Sequence, residues 1–313
     1  VQRVLDIAAD VELPRDHEVL HVVPTGFRVD QVPTSRPPIG MRAASLLAET
    51  SVVTVSRLAL DNLERVLESL DWQLIDAAAE PLLLSRAALR SADRQRGAVL
   101  IDIGGEVLSA TVYREGALRG VVSLAAGGAH VTRDLSWALR IDLDEAEKLK
   151  RQHGVAVVQE AKREARIPIR SNGRPAWVGQ RAMAQVIEPR LSELLTMVRD
   201  GLRSQDALFP ATRVVLTGNG SRIRGLSTLV ERIFEAPART ATFQSCEDQS
   251  QGLIPSCVAA GLIQYATSCG LAREPRRRQQ ALQWLRKTIG AGVSEEGTGL
   301  RAGSDTAGAT STQ

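Results

Sequence analysis

The chain reads as an α/β protein, and three observations carry that reading. Strand-like runs alternate with amphipathic helical runs along most of the 313 residues. Three apolar runs end in glycine: Ile101-Asp102-Ile103-Gly104-Gly105, Leu124-Ala125-Ala126-Gly127-Gly128 and Leu216-Thr217-Gly218-Asn219-Gly220. A hydrophobic content of 43% suffices for a buried core, and the length suggests two domains or one large domain cut into lobes. Glycines let backbone N–H groups approach an anion closely, and an aspartate beside them can hold a metal ion or a water. A short glycine loop is, however, more often a plain core hairpin than a phosphate site.

Composition narrows the class. The net charge is only +3, so no general nucleic-acid coat is indicated, and 3% aromatics leave few stacking platforms for single strands. Cys246, Cys257 and Cys269 are widely spaced with no CxxC pair, which fits reduced thiols rather than a zinc site or a nucleophile. His17, His21, His130 and His153 form no ligand cluster and read as ordinary surface or loop residues. No apolar run approaches a membrane span, so any membrane contact is expected to be peripheral. Val1 falls inside an amphipathic pattern, and a segment upstream is expected.

Taken in order, Val1 to Ala9 places Val4, Leu5 and Ala8 on one helical face, and Pro14 ends it. Glu18 to Pro24 and Gly26 to Asp30 read as two strands of a hairpin around a Pro/Gly break, followed by a proline-rich loop. Ala48 to Ser56 is a strand. Arg57 to Ser69 is a helix expected to bury Leu60, Leu63, Val66, Leu67 and Leu70, and Gln73 to Ala79 is a strand leading through Pro81 into another helix. Ala98 to Ile103 is a buried strand, and the return strand puts Val107, Ser109, Thr111 and Tyr113 on one face, with Arg114-Glu115-Gly116 as the next turn.

Ala117 to Leu124 is a third strand, and Gly127-Gly128 opens a helix to Leu139, a second potential anion site. Asp142 caps a helix to His153 with Glu145 at the capping-box position. Short strands broken by Asn172-Gly173 lead to a long helix from Gln180 towards Ser204, then a buried strand to Thr217 and a helix from Gly225 to Phe234. The tail differs. Ala281, Leu282, Trp284, Leu285 and Ile289 share one side of a short helical pattern, with Arg276, Arg277, Arg278, Arg286 and Lys287 around them, and 291–313 is rich in Gly, Ser and Thr and reads as disordered.

In serial order these pieces resemble the FtsA family of actin-like bacterial cell-division proteins. The resemblance rests on Pro14 to Pro24, Gly26 to Asp30, Gly40-Met41, Val53-Thr54, Glu80-Pro81-Leu82, Asp102-Ile103-Gly104-Gly105, Gly127-Gly128, Ala146-Glu147 with Lys150, Ile187 to Arg190 and Leu216-Thr217-Gly218. It implies an actin-like, ribonuclease H-like two-lobed α/β fold. Its parts would be a family-specific SHS2-like subdomain over 1–92, the central hairpin of lobe 1 over 93–125, and lobe 2 over 126–272. Within lobe 2, 143–204 would bind the C-terminal tail of the tubulin-like FtsZ. Residues 275–290 would be an amphipathic membrane-targeting helix using Arg278, Leu282, Trp284, Leu285, Arg286, Lys287 and Ile289, ahead of a disordered 291–313.

The same resemblance implies ATP with Mg2+ as cofactor. Asp102, Gly104 and Gly105 would form a phosphate loop, with Asp102 near the metal. Gly127 and Gly128 would lie by the phosphates, Glu147 and Lys150 by ribose and adenine, and Gly218, Asn219 and Gly220 in the adenosine loop. Three departures from the family pattern make the site a degenerate one, with ATP binding expected to be weak or absent: the family's first phosphate loop belongs to a segment ahead of Val1, Glu106-Val107-Leu108 replaces a glycine and two threonines, and Ala129 and Asn219 replace an aspartate and a glycine. The Glu106 carboxylate is expected to repel phosphate. The implied role is an adaptor tethering the FtsZ ring to an anionic membrane at the cytoplasmic face of the septum. Its partners would be FtsZ, other divisome proteins and further copies of itself in actin-like filaments, with no nucleic acid. A pilus-assembly adaptor of the PilM type and an ATP-hydrolysing protein of the actin and Hsp70 group are the competing readings.

Overall fold

The computed structural model describes residues 1–34, 37–207, 213–241 and 256–269, and Val1–Tyr265 forms one compact unit. Helix α1 (Gln2–Ala9) precedes a three-stranded antiparallel sheet, order β2-β1-β3, made by β1 (His17–Val29), β2 (Val32–Thr34) and β3 (Leu46–Ser56). The expected hairpin within 18–30 is instead the single long strand β1. Its ladder to β3 skips one residue between Val19 and His21 and another between Pro24 and Gly26. A bulge absorbs the extra residue and lets the strand continue past a proline that has no N–H to give. The tight turn lies further on, where Asp30 and Gln31 both take positive φ (49° and 70°).

Helix α2 (Arg57–Glu68) forms where expected but does not bury its apolar stripe: Leu63, Val66 and Leu70 are exposed, with only Leu60 and Leu67 half-buried. The 73–79 run is not a strand, because no described segment pairs with it. It leads into α3 (Glu80–Ala88), with Pro81 in the first turn, and the short α4 (Ser91–Arg96), which the pattern did not reveal.

The body is a five-stranded mixed sheet, order β10-β9-β4-β5-β6. Strands β4 (Ala98–Ile103), β5 (Leu108–Arg114) and β6 (Ala117–Leu124) form an antiparallel meander, its second turn made by Glu115 and Gly116, both at positive φ. Strands β9 (Val214–Thr217) and β10 (Ala238–Thr240) add in parallel beside β4. The 93–125 hairpin thus shares one sheet with β9 and β10.

One face is covered by α5 (Gly128–Leu139), α6 (Leu143–His153), the 25-residue α7 (Gln180–Ser204) and α8 (Leu226–Phe234). Met183, Ile187, Leu191, Leu195, Val198 and Leu202 of α7 recur at helical spacing and are fully buried against this core. A small two-stranded sheet of β7 (Arg166–Ser171) and β8 (Arg174–Gly179) turns at Asn172-Gly173, again with both φ positive. On the other face Leu84, Ala88, Leu100 and Val215 pack with Cys257 of α9 (Ser256–Ser268). The capping box expected for α6 is absent. Asp142 makes no side-chain cap bond, and Glu145 Oε1 instead accepts from Arg170 N–H (2.9 Å), pinning the β7 strand. Cys257 is a buried free thiol and Cys269 an exposed one. Residues 275–313, with the expected basic helix and tail, and Cys246 lie outside the described residues.

Candidate functional site

Strand directions bring the three glycine junctions together. Asp102 of β4 pairs in parallel with Thr217 of β9. Ile103 stands opposite Leu108, and Leu108 opposite Leu124, so β4, β6 and β9 all end on the same edge of the sheet. Ligands of open α/β sheets bind at carboxyl ends of this kind.

The junctions are cross-braced by backbone bonds. Gly104 N–H donates to Val107 O (2.9 Å), closing the loop after β4, while Gly128 N–H donates to Gly104 O (2.9 Å) and Ala129 N–H to Gly105 O (2.8 Å). The first donors of α5 are therefore held by the neighbouring loop. A side chain at Gly127 would stand 2.6 Å from Gly105 O and 2.7 Å from Gly104 O, so only glycine permits this approach. Gly218 takes φ 81° and lets the chain turn directly over Asp102, whose Oδ1 would be 2.7 Å from any Cβ there. Burial, reinforced by Glu80, pushes the Asp102 carboxyl up to about 6.

The second brace is a buried cation. Lys150 Nζ donates to Gly128 O (2.9 Å), Thr132 Oγ1 (2.7 Å) and Glu147 Oε2 (2.5 Å), and Thr132 Oγ1 donates in turn to Glu147 Oε2 (2.5 Å). Burial opposes ionisation of Glu147, but the bonds from Lys150 and Thr132 outweigh it and hold the carboxyl below its ordinary range. Two of the three Lys150 donors thus tie α6 to the start of α5, and the third is spent on Glu147 of its own helix. His130 also serves this turn, accepting Gly127 N–H at Nδ1 (3.3 Å). Glu106 departs from expectation. Arg133 of α5 holds its two oxygens at 2.9 and 3.1 Å on the exposed side of the loop, and Glu106 does not line the cleft, so its charge is paired rather than set against a ligand.

Between the junctions lies a cleft of about 510 Å³. Of the residues proposed from sequence, Gly104, Gly105, Gly128, Glu147, Lys150, Asn219 and Gly220 line it, while Asp102, Gly127 and Gly218 are not among the lining residues. Lys148, Arg151, Gln152 and Arg222 also line it, and sequence reasoning missed them. The signal was available on α6: Glu147, Lys148, Arg151 and Gln152 are spaced to present one side of the helix. A nucleotide fits this donor set. Gly105 has open space around its Cα, and Lys148, Arg151 and Arg222 place cationic side chains around the hollow. A metal has less. Among the described residues no three His, Cys, Asp or Glu side chains converge, and with Glu106 paired to Arg133 the loop offers Asp102 alone, enough only for an ion held chiefly by phosphates and water. A larger hollow of about 600 Å³ on the N-terminal sheet has no ionisable side chain in its lining and offers no comparable chemistry.

Known proteins match in two registers. The family model "Cell division protein FtsA" matches residues 99–270, and the model "SHS2 domain inserted in FTSA" matches residues 1–54. A cell division protein FtsA from Pseudomonas aeruginosa is 33% identical over 243 residues, which cover 76% of this chain and 58% of that protein. The chain spans about three fifths of the length of the first curated relatives it matches. Among solved structures, MreB5 of Spiroplasma citri bound to AMPPNP aligns with a TM-score of 0.57 at 20% identity, covering 69% of this chain and 66% of that one. The PilM–PilN type IV pilus biogenesis complex aligns with a TM-score of 0.58 at 19% identity, covering 82% and 68%. At such identities these two similarities speak to fold alone.

Proposed function

The chain belongs to the FtsA family of cell-division proteins and has an actin-like α/β fold, and from that premise we propose that it works as an adaptor that holds a nucleotide rather than as a hydrolase. In this reading the adaptor tethers the FtsZ ring, through the C-terminal tail of FtsZ, to the cytoplasmic face of an anionic membrane at the septum. It also contacts other divisome proteins and further copies of itself. Residues 143–204 would carry the FtsZ contact. Residues 275–290 would carry the membrane contact through Trp284, Leu285 and Ile289, flanked by Arg278, Arg286 and Lys287. Each basic residue near an anionic surface contributes on the order of 1 kcal/mol, enough for reversible attachment. No helix among the described residues is long and apolar enough to cross a membrane, which is compatible with attachment of that kind.

The observation that supports holding over hydrolysis is the position of Asp102. ATP-class chemistry needs a carboxylate that orients a water or a metal at the transferred phosphate. Here that carboxyl lies beneath Gly218, whose Cβ position would be 2.7 Å from its Oδ1, and Asp102 is not among the residues that line the cleft. Gly105 and Gly128 would contact the phosphates, and Glu147, Lys148, Arg151, Gly220 and Arg222 the nucleoside end. Lys150, at the cleft wall, acts by holding Gly128 in place.

The adaptor reading is tested by co-sedimenting FtsZ with anionic vesicles and this purified protein, with and without residues 275–290. Recruitment that disappears with the deletion is the expected result. Vesicle binding without FtsZ recruitment would shift the reading to an adaptor with another partner, as in the pilus system.

A further inference from the structure

His21 belongs neither to the cleft nor to any ligand cluster, yet it sits where four elements meet. The bulge between Val19 and His21 re-aims this residue of β1. His21 Nε2 accepts the backbone N–H of Ala79 (3.0 Å), the residue just before α3. Its ring stands edge-on to Tyr265 of α9, with centroids 5.9 Å apart and planes at 75°. Tyr265 in turn donates its hydroxyl to Asp76 Oδ2 (3.0 Å), and the Arg86 guanidinium lies 5.6 Å above its ring. Apart from this cluster, the N-terminal sheet meets the body chiefly where β1 and β3 approach β6. It places only Phe27 and Val29 in the buried core.

We propose that His21 is the lock of a proton-operated hinge between the N-terminal sheet and the body. The neutral ring carries its proton on Nδ1 and keeps Nε2 as an acceptor for Ala79 N–H. Protonation at Nε2 converts that acceptor into a donor facing another donor, and the clasp on Ala79 is lost. The charged groups facing His21 are Asp76, from the 73–79 segment, and Arg86, from α3; Tyr265 faces it from α9, and β3 places uncharged Val53 opposite it. Burial is the largest influence and lowers the His21 pKa, Arg86 adds to that, and Asp76 opposes it. The sign follows. A base depressed in the folded state contributes stability that is complete above its unfolded value near 6.5 and is lost as pH falls through the folded value. The sheet is therefore locked at neutral pH and released in acid.

Hydrogen exchange of the full chain, corrected for intrinsic rates and compared between pH 7.5 and pH 5, tests this. Wild-type protection at Ala79 and along β1 should fall by up to about tenfold per pH unit once His21 titrates, the limit for one coupled proton. His21→Gln can still accept from Ala79 and does not titrate, so its protection should change less than about twofold. An equal acid response in wild type and His21→Gln, or none in wild type, overturns the proposal. If the variant does not fold, nitrogen shifts of the wild-type imidazole decide. An Nδ1–H tautomer at pH 7.5 that becomes doubly protonated as Ala79 loses protection is required, and an Nε2–H tautomer contradicts it.

Discussion

The N-terminal sheet and the body sheet are built from similar residues and differ in how they are held. In β4, Ala98, Val99, Leu100, Ile101 and Ile103 are all buried, with helices on one side and α9 on the other, and β9 is buried along its whole length. In β1 nearly every residue is half-exposed, and α2 leaves Leu63, Val66 and Leu70 in solvent. A strand covered on both faces is fixed by packing, and its loops inherit that rigidity. A strand covered on one face depends on a few polar contacts, of which His21 with Ala79 is one. The cleft lies at the end of the first kind of strand, and the proposed hinge runs through the second.

The sharpest way to break this contrast is truncation in each sheet. Leu216→Ala, at a fully buried position, is expected to cost about 2–5 kcal/mol, whereas Val22→Ala in the half-buried strand should cost less than about 1 kcal/mol, both read by denaturant unfolding. Equal losses would mean that the N-terminal sheet is as firmly packed as the body. Asp102→Asn is expected to stabilise. The carboxyl is raised from 3.8 to about 6, so the folded state holds its proton longer than the unfolded chain does. Stability therefore falls as pH rises through that window, and the ionised group costs about 3 kcal/mol above it. The variant should gain in thermal stability at pH 7.5 and gain almost nothing at pH 3.5.

Lys150→Met should cost about 1–3 kcal/mol by leaving Gly128 O and Thr132 without their buried donor, and should loosen amide protection in the first turn of α5 before that of β4. Arg133→Ala removes an exposed pair with Glu106 and should cost at most about 1 kcal/mol, as should Arg28→Ala in the N-terminal sheet, whose partner Glu49 is equally exposed. A larger loss at Arg133 would mark the Glu106 pair as a brace of the glycine loop.

What could be read from sequence follows the same division. The body strands, the long helix over 180–204 and the turns at Glu115-Gly116 and Asn172-Gly173 were legible, because an uninterrupted apolar run or a 3.6-residue stripe has one way of being buried. The hairpin assigned within 18–30 failed because Pro24 punctuates a strand as readily as it ends one when a bulge can take up Thr25. The stripe on α2 announced a helix correctly and its burial wrongly, since periodicity reports a face and not what covers it. Seven of the ten cofactor-binding residues implied by resemblance line the cleft, but the use of Lys150 as an internal brace, and of Arg133 as the partner of Glu106, depends on side chains 18 to 27 residues apart in the chain. His21 was passed over as an ordinary histidine because its value lies in Ala79, 58 residues away.

The central claim is that this cleft holds a nucleotide and does not hydrolyse it. The most direct test measures binding of ATP with magnesium and steady-state phosphate release on the same preparation, for wild type and Asp102→Asn. The account predicts saturable binding in both and no phosphate release that depends on Asp102. Turnover in the wild type that Asp102→Asn abolishes would contradict it and make the protein an ATPase.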